Sequence, residues 1–133
     1  MKIRTIIVDD EALSRRGIEL RLREAPEFDI VAQCANGREA LAAIQQYKPD
    51  VLFLDIQMPG MSGLEVLAQL PQEALPVVVF ITAYPERFLT GERPEPAFLI
   101  SKPFQPAMVS AVASQALFFQ RNSRNRAPRA AAS

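Results

Sequence analysis

Apolar residues in this chain gather into short unbroken runs separated by segments of helical spacing. Ile6-Ile7-Val8, Val51-Leu52-Phe53-Leu54 and Val77-Val78-Val79-Phe80-Ile81 contain no polar member. Such runs predict strands covered on both faces. Between the first two, Leu13, Ile18, Leu20 and Leu22 alternate with Arg15, Arg16, Glu19, Arg21 and Arg23. That spacing predicts an amphipathic helix from Glu11 to Glu24, opening with acids that suit the helix dipole. Phe28, Ile30, Ala32 and Cys34 alternate with other positions and predict a half-buried strand. Asn36 followed by Glu39 is a capping pattern, and Ala40, Leu41, Ile44 and Tyr47 form the inner stripe of the helix it opens. Leu64, Val66, Leu67 and Leu70 predict a short third helix stopped by Pro71. From Tyr84 to Pro96, Gly91, Pro94 and Pro96 forbid a long helix, so one or two turns and an irregular loop are expected. Ala97 to Ile100 is a last short strand, and Met108, Val109, Val112, Ala116 and Phe119 mark a final helix. Arg121 to Ser133, with Arg121, Arg124, Arg126 and Arg129, reads as a basic tail or the start of a linker. Residues 1–120 are therefore expected to form one domain and 121–133 a tail.

Five strands alternating with helical segments imply a parallel sheet with helices on both faces. The 133 residues, 49% hydrophobic and 23% charged, suffice for one proper core. Net charge is zero, so bulk charge gives no reason to expect nucleic acid or a membrane surface as partner. The single cysteine, Cys34, and the absence of histidine exclude an internal disulfide and a zinc site of Cys and His. Cys34 is read as a small core residue. Met1-Lys2 leads straight into the first strand, without a signal peptide, and no apolar run nears the ~20 residues that span a bilayer. The expected location is cytoplasmic.

The chemistry lies where the strands end. Asp9 and Asp10 follow the first strand, Asp55 the third, Thr82 the fourth and Lys102 the fifth. In a parallel sheet those ends share one edge, so the five can converge. Taken singly, a carboxylate or threonine after a strand is often just a cap and a lysine a solvated charge. Two carboxylates ~4 Å apart repel by about 4 kcal/mol at an effective dielectric of ~20, so three need a cation or must hold protons. All-oxygen donors suit Mg²⁺, with Asp10 and Asp55 as direct ligands, Asp9 acting mainly through water and the Gln57 carbonyl completing the set. The same cluster suits phosphoryl transfer to the Asp55 carboxylate, with Thr82 and Lys102 holding the phosphoryl oxygens.

Four motifs carry a resemblance: Val8-Asp9-Asp10-Glu11, Leu54-Asp55-Ile56-Gln57-Met58-Pro59-Gly60-Met61-Ser62-Gly63, Ile81-Thr82-Ala83 and Ser101-Lys102-Pro103-Phe104. In order and spacing the chain strongly resembles the receiver domain of two-component response regulators. The resemblance implies an α/β flavodoxin-like (βα)5 fold, doubly wound, with a five-stranded parallel sheet of order 2-1-3-4-5; here the fourth helix is expected to be short or irregular. It implies phosphorylation of Asp55 by a histidine kinase or phosphotransfer protein and Mg²⁺ at Asp9, Asp10, Asp55 and the Gln57 carbonyl. Thr82, Ala83 and Lys102 become the phosphoryl-binding and switch positions, Gln57, Tyr84 and Leu99 modulators, and Pro103 a cis proline. Such a chain is a signalling domain rather than an enzyme: it catalyses only its own phosphorylation and dephosphorylation. Its output is a downstream protein or effector domain, with pairing of two receivers on phosphorylation as a further expectation. The first half is similar to regulators carrying a LytTR-type DNA-binding domain, so a receiver fragment of such a transcriptional regulator is the alternative. The second half is similar to receivers of the PhyR type. An aspartate-nucleophile phosphatase would want an acid where Gln57 stands. A passive pseudo-receiver would not need all five site residues. Leu99 occupies the place of the usual aromatic switch, and Phe98 beside it should face the other way; ordering of Tyr84–Pro96 is the expected replacement. Kinase choice is expected to rest on Ser14, Arg15 and Ile18.

Overall fold

A computed structural model describes residues 2–86 and 97–126. Five parallel strands, β1 (Ile3–Val8), β2 (Phe28–Cys34), β3 (Val51–Asp55), β4 (Val77–Thr82) and β5 (Phe98–Ser101), form one sheet of order β2-β1-β3-β4-β5. The helices are α1 (Ala12–Arg23), α2 (Gly37–Tyr47), α3 (Gly63–Ala68) and α4 (Pro106–Arg126), with a 3-10 turn at Gln72–Ala74. The expected fold and strand order are those observed. Most of the Tyr84–Pro96 segment, and with it the expected short fourth helix and its ordering, lies outside the described residues. The final helix continues past residue 120 to Arg126.

Strand alternation divides the apolar residues between two cores. On one face Ile6, Val8, Leu52, Leu54, Val78 and Phe80 pack against Ala40, Ala43 and Ile44 of α2 and Val66 and Leu67 of α3. On the other, Ile7, Phe53, Val79, Ile81 and Ile100 pack against Ile18 and Leu22 of α1 and Val109, Ala113 and Ala116 of α4. Every residue of β3 and β4 is buried, as unbroken apolar runs require. Phe98 joins the α1/α4 core and meets Phe119 edge-on at 6.2 Å, whereas Leu99 faces the α2/α3 core. The alternation argument for those two residues holds.

Three local expectations need correction. Leu13 and Leu20 are 89% and 49% exposed, so the inner face of α1 is Ile18 and Leu22 alone of the four apolar positions. The simple alternation of β2 also fails. Its pairing with β1 steps from Thr5↔Ile30 to Ile6↔Ala32, a bulge that leaves Val31 unpaired. Phe28 and Ile30 therefore serve the α1/α4 core, while Ala32 and Cys34 serve the α2/α3 core, because one extra residue reverses the phase of the pleat. Finally, the α2 cap is not fully reciprocal. Asn36 Oδ1 accepts the Glu39 N–H, but Glu39 reaches the Ala35 N–H instead of that of Asn36. Cys34 is buried, and burial pushes its thiol up to about 11, which keeps it an inert core residue.

Candidate functional site

Parallel pairing brings the carboxyl ends of β1, β3, β4 and β5 to one edge, and short connections hold the side chains there. Asp9 follows Val8 of β1. Its backbone N–H donates to Cys34 O, and its Oδ1 accepts the Glu11 N–H at 2.9 Å, which turns the chain into α1. Asp55 ends β3, and its Oδ1 accepts the Gln57 N–H at 3.1 Å. The loop after Asp55 is folded back tightly, with the Gly63 N–H on Ile56 O and the Ile56 N–H on Ile81 O. A Cβ at Gly63 would stand 2.4 Å from the Asp55 carbonyl oxygen, so only glycine fits there. Ser62 and Glu65 close a capping box that starts α3. The Lys102 backbone N–H donates to Thr82 O at 2.7 Å, fastening the end of β5 to that of β4, and the Lys102–Pro103 bond is cis.

Lys102 is the hub of the acidic site. Its Nζ lies 3.0 Å from Asp9 Oδ2 and 3.2 Å from Asp55 Oδ2, and it also donates to Glu11. Asp9 and Asp55 are 0% and 2% exposed. Asp10 is exposed, yet one carboxylate oxygen from each of Asp9, Asp10 and Asp55 can be chosen so that all lie within 4.8 Å of one another. Asp9 Oδ2 faces the ammonium without hydrogen-bond geometry and has no donor of its own among the described residues. Burial, joined by the charge of Asp9 and opposed by that of Lys102, pushes the Asp55 carboxyl up to about 7. Burial alone would lower Lys102, but its bonds to Glu11 and Asp9 and the nearby carboxylate charges outweigh this and hold it above the ordinary lysine value. Glu11 is held low by its hydrogen bond to Lys102 and by that charge. One ammonium among four acids leaves excess negative charge, and the three-oxygen cluster of hard donors fits a small divalent cation.

The five residues expected from the strand ends thus reach one edge, but not all meet. Thr82 is fully buried, and its hydroxyl is turned to Gln57 Oε1 at 2.9 Å while accepting the Tyr84 N–H at 2.9 Å. Ala83 and Lys102 line a groove of about 540 Å³ beside the site, together with Leu13, Ser14, Gly17, Phe104 and others. Leu99 lies away from these contacts, against the α2/α3 core. Sequence reasoning missed Glu11 as a partner of Lys102 and treated it as a first-turn acid. The acidic run Asp9-Asp10-Glu11 was the available signal. Nor does the sequence reveal the Gln57–Thr82 bond, although each residue is a candidate by itself. Of the residues expected to choose the kinase, Ile18 is fully buried and Arg15 donates to Asp9 O, which leaves Ser14 on the groove.

Sheet order, acidic edge and lysine define a receiver. Residues 5–113 match the response regulator receiver domain family, and the chain belongs to it. More particularly, the chain is 48% identical over 128 residues to the phyllosphere-induced regulator PhyR of Methylorubrum extorquens, covering 95% of this chain and 48% of that protein. The crystal structure of PhyR from Brucella abortus superposes with a TM-score of 0.81 at 42% identity, over 93% of this chain and 51% of that one. That of the anti-anti-sigma factor PhyR from Bartonella quintana gives 0.79 at 40%, over 94% and 51%. The chain spans about half the length of these relatives. Similarity to PhyR is therefore not confined to the second half of the sequence. Among the described residues no helix is long and apolar enough to cross a membrane.

Proposed function

We propose that this receiver is phosphorylated on Asp55 by a histidine kinase or phosphotransfer protein in a Mg²⁺-dependent reaction, and that the change alters its contacts with an effector domain or partner. The observation that carries the reading is Lys102 Nζ, 3.0 Å from Asp9 and 3.2 Å from Asp55 in a buried acidic cluster. An Asp55 oxygen attacks phosphorus, the bond to the donor's imidazole nitrogen breaks, and the protonated ring leaves as neutral imidazole. Lys102 offsets charge on the phosphoryl oxygens, and Thr82 supplies a hydroxyl once it has turned. Mg²⁺ held by Asp9, Asp10, Asp55 and the Gln57 carbonyl would supply the remaining charge neutralisation. By likeness to the Bartonella relative, described as an anti-anti-sigma factor, we infer that the output partner is an anti-sigma factor. Incubation with acetyl phosphate and Mg²⁺ tests the chemistry. One phosphoryl group per chain, absent with EDTA and absent in Asp55→Asn, is the expected mass change. Turnover without a labelled intermediate would overturn it.

A further inference from the structure

Gln57 touches both halves of the switch. Its backbone N–H donates to Asp55 Oδ1 at 3.1 Å, and its side-chain Oε1 accepts the Thr82 hydroxyl proton at 2.9 Å. The Thr82 hydroxyl has only one proton to give. Its oxygen is engaged as well, by the Tyr84 N–H at 2.9 Å. The Thr82 backbone is tied in place at the end of β4, where its carbonyl accepts the Lys102 N–H at 2.7 Å. The proton alone can swing about the Cβ–Oγ bond, but carrying the hydroxyl oxygen toward Asp55 takes rotation about χ1, and a β-branched residue has few choices there.

We propose that Gln57 is a latch: its side-chain amide holds the Thr82 hydroxyl in the resting rotamer and must release it before that hydroxyl can donate to a phosphoryl group on Asp55. The inference rests on the reading of Asp55 as phosphoacceptor. Gln57 is then a positioning residue, acting through Thr82. Its side chain opposes the switched state with the strength of one hydrogen bond, while its backbone stays on the acceptor carboxylate. The two positions that lie two residues beyond Asp55 and Thr82, Gln57 and Tyr84, bond the same oxygen, one as acceptor and one as donor.

A double-mutant cycle tests this with beryllofluoride and Mg²⁺ as the phosphoryl mimic, binding measured by calorimetry. Gln57→Met keeps the length of the side chain and removes the acceptor; Thr82→Val keeps the shape and removes the hydroxyl. Gln57→Met should tighten beryllofluoride by about threefold to tenfold where Thr82 is present, the size of one hydrogen bond, and should change nothing in the Thr82→Val background. It should also speed amide exchange at Tyr84 in the unliganded protein. Equal tightening in both backgrounds, no change, or weakening beside an intact Thr82 would overturn the latch while leaving the phosphoacceptor reading standing. A wild-type protein that neither binds beryllofluoride nor takes a phosphoryl group from acetyl phosphate would remove both.

Discussion

Asp55 is destabilising to the metal-free fold at neutral pH, and that gives it a pH signature. Its carboxyl is pushed from 3.8 to about 7, so between those values the folded protein holds more protons than the unfolded chain. Stability therefore falls as pH rises from about 4 to about 7 and is flat beyond, as far as this group is concerned. Asp55→Asn removes the penalty. In EDTA the variant should be more stable than wild type by on the order of 3 kcal/mol at pH 8, and by much less at pH 5. Urea unfolding at the two pH values checks the sign; an advantage that does not grow with pH would contradict it. Lys102 is the converse case, since Asp9, Glu11 and Asp55 all bear on its ammonium. Lys102→Met should cost on the order of 3 kcal/mol in EDTA, part of it regained with Mg²⁺. Asp9, Asp55 and Lys102 were legible because a strand end fixes where a side chain begins. The roles of Glu11 and the Gln57 amide were not, because those depend on which rotamer tertiary neighbours select.

The loop between β3 and α3 shows how an element is built to serve the site. Gly60 and Gly63 sit three residues apart for different reasons. Gly60 has φ +81° and open space around its Cβ position, whereas Gly63 is pressed against the Asp55 carbonyl oxygen, 2.4 Å from where a Cβ would be. Gly60→Ala should then cost roughly 1–2 kcal/mol, the left-handed penalty. Gly63→Ala should cost more than that and should also disturb Asp55, slowing labelling by acetyl phosphate, which Gly60→Ala leaves nearly unchanged. Unfolding midpoints and labelling rates of the two variants separate strain from collision. Element types were legible from the unbroken runs of β3 and β4 and from the Asn36 cap. The bulge at Val31 was not, since it reflects how β2 pairs with β1 and leaves no local mark in Phe28–Cys34. Nor was the outward turn of Leu13, because a helical stripe specifies spacing and not where the neighbouring layer ends.

Across the whole molecule, the acidic pocket and an apolar groove lie side by side. The acidic pocket is floored by strand ends, while the groove beside it is lined by Leu13, Gly17, Pro103, Phe104 and Pro106 and shares Lys102 with the pocket. Leu13, at 89% exposed, contributes almost nothing to either core, and under the proposed function an apolar side chain so placed suits the partner that brings a phosphoryl donor to Asp55. Small donors need no such wall. Leu13→Asp should therefore lower phosphoryl transfer from a cognate kinase or phosphotransfer protein by about tenfold or more. Labelling by acetyl phosphate should stay within about twofold and unfolding within about 0.5 kcal/mol of wild type. Parallel loss with both donors would place Leu13 in the chemistry or the fold. Parallel retention would move the docking surface elsewhere, and Asp55 would then have to be approached without this side of α1.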